Sequence, residues 1–319
     1  MISVEGLTKR FNDQYAVRNV TFSLERGQIL SLIGKSGSGK TSLLKCLNHL
    51  LRPDSGKIII DGIDISTVPP ENFRRKMGYV VQDYGLFPHY NIYNNIALPL
   101  QLAKFSKQRI EIRVRELMSM MEMDFNKYAK VFPENLSGGQ KQRVGLARAL
   151  ASNPSVLLMD EPFSALDPVS KQNIKEFFKN LPQLKDTSVI MVTHDIVEAF
   201  ELSDLVGVMS DGTMLQCSTP DLLLSYPVSD IVENFLQPHL FDIKLQLISL
   251  DELWSHIQSV ESGSLNLEVL GTDITIKTLM NKLSSGNTVS VKNINGLYKE
   301  INLPILLQSV IAYTTRKLW

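Results

Sequence analysis

The sequence has little cysteine, no excess of charge and no long apolar run. Its two cysteines, Cys46 and Cys217, lie far apart and offer no disulfide framework, so a reducing, cytoplasmic setting is expected. Lysine and arginine together number 33, as do aspartate and glutamate, and this balance gives no electrostatic sign of nucleic-acid binding. No run of about 18 apolar residues is present, and residues 1–6 lack the plan of a signal peptide. Any membrane role is therefore expected to depend on a partner.

The length suits one large domain and one smaller domain. The 319 residues exceed the size of one ordinary domain, and 44% of them are apolar, enough for a substantial core. Alternating apolar and polar residues over 2–33, with turn signals at 12–13 and 25–27, predict short antiparallel strands. Residues 92–123 carry apolar side chains at helical spacing. Strands and helices are therefore both expected in the main domain.

A glycine-rich stretch, residues 34–41, reads GKSGSGKT and lies between an apolar run at 29–33 and a helical pattern. This setting is typical of a phosphate-binding loop, because glycine lets backbone N–H groups surround an anion and the next helix directs its positive end at it. Lys40 would supply mobile charge to the β- and γ-phosphates, and the Thr41 hydroxyl would bind Mg²⁺. A flexible Gly/Ser loop is the alternative, which the GKT ending disfavours. We therefore predict that a nucleoside triphosphate is bound by Gly34, Lys35, Ser36, Gly37, Ser38, Gly39, Lys40, Thr41 and Ser42.

Acidic side chains follow a second apolar run. Residues 156–159 predict a strand buried on both faces, and Asp160 and Glu161 stand at its carboxyl end, where parallel sheets bind ligands. Because successive strand residues point to opposite sides, Asp160 can hold Mg²⁺ while Glu161 polarises the attacking water. Gln82 and His194 each follow a further predicted strand. At the same sheet edge His194 would sense the γ-phosphate, and a purely structural histidine is the alternative.

Small residues also open a helix at 136–140, which reads LSGGQ, so a second helix N-terminus is free to hold an anion. Arg143 and Arg148, further along this helix, are expected on its solvated face. Asp167 is expected to cap the next helix. Tyr15, ahead of the glycine-rich loop, would either stack on an adenine ring or lie half-buried on a strand, and both interpretations stay open.

These motifs occur in the order of the ATP-binding-cassette ATPases, which residues 1–236 therefore resemble. The resemblance implies an α/β fold with a P-loop NTPase core, an antiparallel β subdomain and a helical signature subdomain. It implies ATP and Mg²⁺ as cofactors and a second copy of the chain as partner, since the family holds ATP between two subunits. The implied roles are adenine stacking for Tyr15, Mg²⁺ binding for Thr41, Gln82 and Asp160, and catalysis for Glu161, His194 and Gln82. The implied contacts to the nucleotide of the other subunit are Ser137, Gly138, Gly139, Gln140 and Asp167.

The resemblance also bears on the other partners. The chain is similar to the separate ATPase subunit of an importer, peripheral on the cytoplasmic face of the cell membrane, with a transmembrane permease as partner and a solute-binding protein as an indirect one. Residues 78–82 and 85–89 look most similar to those of osmoprotectant importers, whose solutes include glycine betaine and choline. An importer ATPase for polar amino acids and a soluble, non-transport ATPase of the same family are the alternatives.

Residues 237–319 extend beyond the minimal cassette as a small α+β extension. The ending of this extension is similar to a CBS unit, a regulatory module, although a plain dimerisation or structural extension remains the alternative. Strands are predicted at 265–269, 288–291 and 297–301, and helices at 276–283 and 304–313.

Overall fold

The computed structural model describes residues 1–258, 268–272, 274–283 and 288–317 of the chain. By its internal contacts the chain divides into two compact units, Met1–Leu236 and Gln237–Trp319. Within the described residues, no helix combines the length and the apolar character that crossing a bilayer requires.

Two β-sheets form the framework of the first unit. Its strands are β1 (Ile2–Phe11), β2 (Gln14–Leu24), β3 (Ile29–Ile33), β4 (Ser55–Ile60), β5 (Ile63–Asp64), β6 (Met77–Val80), β7 (Val156–Asp160), β8 (Ser188–Val192), β9 (Leu205–Ser210) and β10 (Thr213–Ser218). The first sheet is antiparallel, with the order β2-β1-β4-β5. The second has the order β10-β9-β3-β8-β7-β6 and is parallel except for the β9–β10 hairpin.

The register of the second sheet brings three strand ends together. Strand β8 lies between β3 and β7, and its Val192 pairs with Leu32 on one side and with Asp160 on the other. The loops that leave these three strands therefore begin at one edge of the sheet, where such sheets bind ligands. Strand β8 is buried along its whole length, as expected for a parallel sheet covered on both faces.

The helices of the first unit are α1 (Lys40–Leu47), α2 (Pro70–Arg74), α3 (Ile92–Leu102), α4 (Lys107–Met120), α5 (Phe125–Tyr128), α6 (Gly138–Leu150), α7 (Pro168–Lys179), α8 (Ile196–Leu202), α9 (Pro220–Ser225) and α10 (Asp230–Leu236). The helical pattern at 92–123 is divided between α3 and α4. Lys104 takes a left-handed φ of 59°, and the Ser106 hydroxyl then caps α4 by accepting a hydrogen bond from the Arg109 N–H. Helix α3 packs against α4 and α6, which forms a helical subdomain and confirms the predicted fold class.

The second unit has a small mixed sheet packed with helices. Its elements are α11 (Leu240–Leu247), α12 (Leu250–Leu253), β11 (Val269–Gly271), α13 (Ile276–Leu283), β12 (Val289–Lys292), β13 (Tyr298–Ile301) and α14 (Leu303–Lys317). Strands β11 and β12 are parallel, and β12 and β13 are antiparallel. Leu279, Val291 and Leu306 are fully buried in its core. Of the strand predicted at 265–269, residues 265–267 lie outside the described residues.

Candidate functional site

The glycine-rich loop after β3 has a backbone that other residues cannot adopt at two positions. Gly34 has a φ of 150°, and a Cβ there would lie 2.2 Å from the Met209 carbonyl oxygen. Gly39 has a φ of 100°, and a Cβ there would lie 2.1 Å from the Ala16 carbonyl oxygen. Both neighbours are main chain, so neither can turn aside. The loop is therefore wedged between β2 and the end of β9, with Gly37 exposed at its tip.

Lys40 opens helix α1 and folds back over the loop. Its Nζ donates to the carbonyl oxygens of Gly34 at 2.8 Å and Lys35 at 3.0 Å, and to the Ser38 Oγ at 3.3 Å. Burial lowers the pKa of Lys40, and the Glu161 and Asp160 carboxylates act in the opposite direction. All three hydrogen-bond acceptors are neutral, and within the described residues Lys40 forms no ion pair. Its charge is therefore available to an anion.

The first N–H groups of α1 point at the same place. The Leu43 N–H donates to the Gly39 carbonyl oxygen, which is the first bond of the helix, so the N–H groups of residues 39–42 lack an intrahelical acceptor. Together with the positive end of the helix dipole they suit an anion. Of the predicted phosphate-binding residues, Lys35, Ser36 and Gly37 are exposed, while Ser38 and Lys40 are buried.

Thr41 and Asp160 meet beneath this loop. The Thr41 Oγ1 donates a hydrogen bond of 3.3 Å to the Asp160 Oδ1. Burial raises the pKa of Asp160, and the neighbouring Glu161 carboxylate also raises it, while the Thr41 hydrogen bond and two lysines lower it. A hydroxyl and a partly buried carboxylate are hard oxygen ligands of the kind Mg²⁺ prefers. The donor set therefore fits a divalent cation.

Glu161 carries a carboxylate between two side chains from neighbouring strand ends. Its Oε2 accepts a hydrogen bond from the Gln82 Nε2 at 3.3 Å and lies 3.4 Å from the His194 Nδ1. Its own φ is 47°, a left-handed conformation rare for this residue type, and its N–H donates to the Val192 carbonyl oxygen at 2.9 Å. The three side chains from the ends of β6, β7 and β8 thus form one cluster. It can hold and orient a water molecule beside the loop.

The segment after Gln82 is held by contacts that the sequence did not indicate. Asp83, Tyr84 and Gly85 are all left-handed, and the Tyr84 hydroxyl donates to the Ala165 carbonyl oxygen at 3.1 Å. The Arg148 Nη1 donates to the Gly85 carbonyl oxygen at 2.7 Å, and burial lowers the Arg148 pKa. The expectation that Arg148 lies on a solvated face is therefore wrong.

The same correction applies to Arg143. It donates to the Met121 carbonyl oxygen, pairs with Glu122 at 2.6 Å and lies 4.8 Å from the Phe177 ring centre. Helical spacing indicates which residues of α6 share a face. It does not indicate that the turn after α4, which is distant in sequence, covers the face that carries Arg143.

Tyr15 lies next to the glycine-rich loop. Its neighbour Ala16 provides the carbonyl oxygen that approaches Gly39, and 43% of Tyr15 is exposed. The guanidinium groups of Arg10 and Arg18 lie 4.7 and 5.2 Å from its ring centre. The Tyr15 ring is therefore accessible at the edge of the loop. Tyr15 itself lies on strand β2, in agreement with the strands predicted for this region.

Within the described residues, the LSGGQ residues contact each other and the start of helix α6, and not the residues around Lys40 and Glu161. Ser137 and Gln140 form a reciprocal capping box: the Ser137 Oγ accepts from the Gln140 N–H at 3.3 Å, and the Gln140 Oε1 accepts from the Ser137 N–H at 3.0 Å. The Gln140 amide also donates to the Tyr128 hydroxyl. A Cβ at Gly138 would lie 2.9 Å from the Tyr84 hydroxyl oxygen, whereas a Cβ at Gly139 would make only an ordinary contact with Ser170, at 3.8 Å. Among the contacts of the described residues, none joins the LSGGQ residues to the glycine-rich loop.

Asp167 caps helix α7, as predicted. Its carboxylate accepts the Ser170 N–H at 3.0 Å, and hydrogen bonds from Ser170 lower its pKa. Asp167 is exposed. In the described part of the structure, neither Asp167 nor the LSGGQ residues contact the glycine-rich loop of their own chain. The predicted site residues therefore form two groups: one around Lys40 and Glu161, and one around Ser137.

Comparison with known proteins identifies the class. The family model described as "ABC transporter" matches residues 17–164. The glycine betaine uptake system ATP-binding protein YehX of Escherichia coli is 38% identical over 277 residues, which cover 87% of this chain and 88% of that protein. The choline transport ATP-binding protein OpuBA of Bacillus subtilis is 41% identical over 237 residues, 74% of this chain and 62% of that relative.

A solved structure agrees with these relatives. The ATP-binding cassette MJ0796, in a dimeric post-hydrolysis state bound to ADP and Pi, has a TM-score of 0.61 and 32% identity, covering 69% of this chain and 99% of that chain. The chain belongs to the ATP-binding proteins of ABC transporters, as its motif order predicts. It aligns with about three fifths of the length of the OpuBA relative, and with most of the length of the YehX relative.

Proposed function

We propose that this chain binds ATP with Mg²⁺, hydrolyses it, and thereby drives a separate permease that imports a solute. The observation that carries the proposal is the Glu161 carboxylate held between Gln82 and His194, beside a loop whose Lys40 has no carboxylate partner in the part of the chain that the structure describes. One cluster is suited to deprotonating water, and the adjoining loop is suited to holding a triphosphate.

The phosphates would bind where positive charge is least compensated. ATP carries about four negative charges, and the helix N-terminus, the loop N–H groups and Lys40 all favour an anion at this place. Tyr15 would pack on the adenine ring at the rim of the loop. An aromatic face at that position adds binding energy without contacting the phosphates.

Mg²⁺ would be held by Thr41, Asp160 and Gln82. The closeness of the Thr41 hydroxyl and the Asp160 carboxylate supports this role. When bound, the ion supplies charge neutralisation for the β- and γ-phosphates. Glu161 accepts a proton from the attacking water in this scheme, while Gln82 and His194 keep its carboxylate in place.

A second copy of the chain would complete the site. Ser137, Gly138, Gly139 and Gln140 open helix α6, a second helix N-terminus suited to an anion, and their contacts lie apart from the loop around Lys40. In a head-to-tail pair this N-terminus faces the γ-phosphate held by the other copy, and Asp167 lies at the same boundary. The dimeric state of the MJ0796 cassette supports this arrangement.

A permease would dock beside Phe87. This residue lines a groove of about 420 Å³, with Tyr79, Leu98 and Leu102 also on its apolar side. Phe87 is 40% exposed and Leu102 is 56% exposed. An apolar groove with basic residues at its rim suits an amphipathic helix. This surface would place the chain on the cytoplasmic face of the membrane, with a solute-binding protein as an indirect partner.

An osmoprotectant such as glycine betaine or choline is the proposed solute. Relatives named for spermidine/putrescine import are also 40–41% identical, so identity over the cassette does not choose between solutes. The YehX alignment covers 277 residues, more than the whole first unit, and so it extends into the second unit. Similarity in the extension favours the glycine betaine class. Import of polar amino acids remains the second candidate.

The hydrolysis step is tested with the purified chain. Lys40→Ala should abolish ATP-dependent phosphate release, because the loop loses its free cation. Lys107→Ala, an exposed lysine at the start of α4 that contacts none of the proposed site residues in the described part of the chain, is the control and should retain the wild-type rate. Equal rates for Lys40→Ala and wild type would overturn the proposal.

The dimer and the transport role are tested separately. Glu161→Gln should bind ATP without hydrolysing it and should elute as a dimer in ATP but not in ADP; a monomer in saturating ATP would contradict the sandwich. Uptake of labelled choline, glycine betaine, spermidine and a polar amino acid is then compared in cells with and without the gene. If removing the gene lowers the uptake of none of these solutes, and no membrane protein co-purifies with the chain, a non-transport ATPase is favoured.

A further inference from the structure

Two groups of ion pairs, one formed by Lys171 and one by Lys175, join helix α7 to helix α8 and to its N-cap, Asp195. The Lys171 Nζ lies 2.7 Å from the Asp195 Oδ2 and 2.8 Å from the Glu198 Oε2. One turn further along α7, the Lys175 Nζ lies 2.5 Å from the Glu201 Oε2. Glu198 is 2% exposed, so the group formed by Lys171 reaches into the interior. The proposed catalytic step uses neither lysine.

Asp195 ties the first of these groups to the segment that carries His194. Its Oδ1 accepts the Glu198 N–H at 3.0 Å, which caps α8, while its Oδ2 is bound to Lys171. Its own N–H donates to the Thr193 Oγ1 at 3.0 Å. Both carboxylate oxygens and the amide of the residue after His194 are therefore held.

Lys171 is tied in turn to the segment that carries Glu161. It lies in the first turn of α7, where its N–H donates to the Asp167 carbonyl oxygen at 2.8 Å. The chain between Glu161 and α7 is a tight turn, closed by the Ser164 hydroxyl on the Glu161 carbonyl oxygen at 2.9 Å. Glu161 and His194 are therefore connected in two ways. Their side chains contact each other, and their chain segments are joined through Lys171 on α7 and Asp195.

We propose that Lys171 is a positioning residue, which sets the His194 ring against Glu161 by holding Asp195 across the gap between α7 and α8. The inference rests on the proposed ATP hydrolysis. The His194 side chain is 63% exposed, so packing around the ring does little to fix it. The residue that follows His194 in the chain, Asp195, is held through its side chain, and Lys171 binds that carboxylate from another element.

The expected kinetic signature is a change in kcat without a change in KM for ATP. Lys171→Met should lower kcat about tenfold, because His194 would hold the Glu161 carboxylate less firmly and hydrolysis would slow. The KM should stay the same, because the phosphate-binding loop still binds ATP. Lys171→Arg keeps the charge and the reach and should recover most of that rate. Lys175→Met is the matched control, since it also breaks a buried ion pair between α7 and α8 but lies a turn further from His194. It should change kcat less than twofold.

A second readout follows His194 itself. In full-length protein labelled at histidine ring carbons, the five histidines give separate signals, and His194→Gln assigns one of them. Lys171→Met should shift that signal, and Lys175→Met should leave it in place. If Lys171→Met unfolds, Lys171→Met/Glu198→Gln removes the unpaired buried carboxylate and takes its place in both assays.

The outcomes are distinguishable. An unmoved His194 signal in Lys171→Met, or equal losses of kcat in Lys171→Met and Lys175→Met, would overturn the positioning role. Absence of ATP hydrolysis by the wild-type protein would instead overturn the proposed function. A shifted signal with a reduced kcat and recovery in Lys171→Arg would establish the role.

Discussion

Replacing Gly39 by alanine tests whether the glycine-rich loop is wedged as the structure has it. The added Cβ would lie 2.1 Å from the Ala16 carbonyl oxygen and 3.3 Å from the Gly212 Cα. Contacts under 3.0 Å are essentially never made by real Cβ atoms, and the neighbours are backbone on both sides. Gly37→Ala is the matched control, because Gly37 also has a positive φ, of 80°, but its Cβ would meet nothing within 4 Å.

The difference between the two variants isolates the steric overlap. Each alanine is placed in a left-handed conformation at a cost of about 1–2 kcal/mol, and this cost largely cancels in the comparison. Forcing a methyl group into a filled position costs about 1–3 kcal/mol more. We therefore expect Gly39→Ala to be less stable than Gly37→Ala by about 1–3 kcal/mol, which corresponds to about 2–12 °C in Tm for a unit of this size.

The assay is urea unfolding followed by far-ultraviolet circular dichroism, without nucleotide. Tryptophan fluorescence would not serve, since both tryptophans, Trp254 and Trp319, belong to the second unit. If the unfolding free energies of the two variants agree within about 0.5 kcal/mol, which is the scale of an ordinary surface substitution, the close approach of Gly39 to β2 is wrong.

Three further predictions concern charge and capping. Asp160→Asn should raise the nucleotide-free Tm at pH 8 by about 1–3 °C and abolish hydrolysis. Burial raises the Asp160 pKa, so the stability that this group contributes is full at low pH and is lost as pH rises through the folded pKa; a lower Tm at pH 8 would contradict this. Burial also raises the pKa of both Cys46 and Cys217 to about 11, so a thiol reagent at pH 8 should meet about a hundredfold less thiolate in the native protein than in an unfolded one; labelling of native protein at the unfolded rate would refute it. Ser137→Asp should keep the cap of α6 and its stability but lose ATP-dependent dimerisation, whereas Ser137→Ala should also lose about 1 kcal/mol of stability; a normal ATP-bound dimer of Ser137→Asp would contradict the proposed phosphate contact.

Local motifs and strand ends could be predicted from the sequence. The GKSGSGKT pattern determines a strand–loop–helix unit by itself, because glycine backbone freedom and helix capping are properties of neighbouring residues. The meeting of Asp160, Glu161 and His194 follows from a general property of parallel sheets, whose strand ends share one edge.

Contacts between segments distant in sequence could not be predicted. Spacing along α6 places Arg148 on a face, but the left-handed turn at Asp83–Gly85 that covers this face is set by tertiary packing. Lys171 and Asp195 are 24 residues apart, and nothing in either local pattern indicates that they pair. The contact of Gln140 with the nucleotide of a second copy stays a prediction, and in the single chain its side chain completes the capping box of its own helix.

The capping box bears on how two copies would close around ATP. A serine hydroxyl has one hydrogen to donate and two lone pairs, and the Ser137 Oγ uses one lone pair to accept the Gln140 N–H. The same hydroxyl can therefore cap α6 and donate its hydrogen to a phosphate oxygen at once. Since the cap is already formed in the single chain, closing the pair would not require ordering α6. The interaction of the γ-phosphate with Ser137 would then stabilise the pair of copies directly. Hydrolysis removes the γ-phosphate, and the two copies would separate.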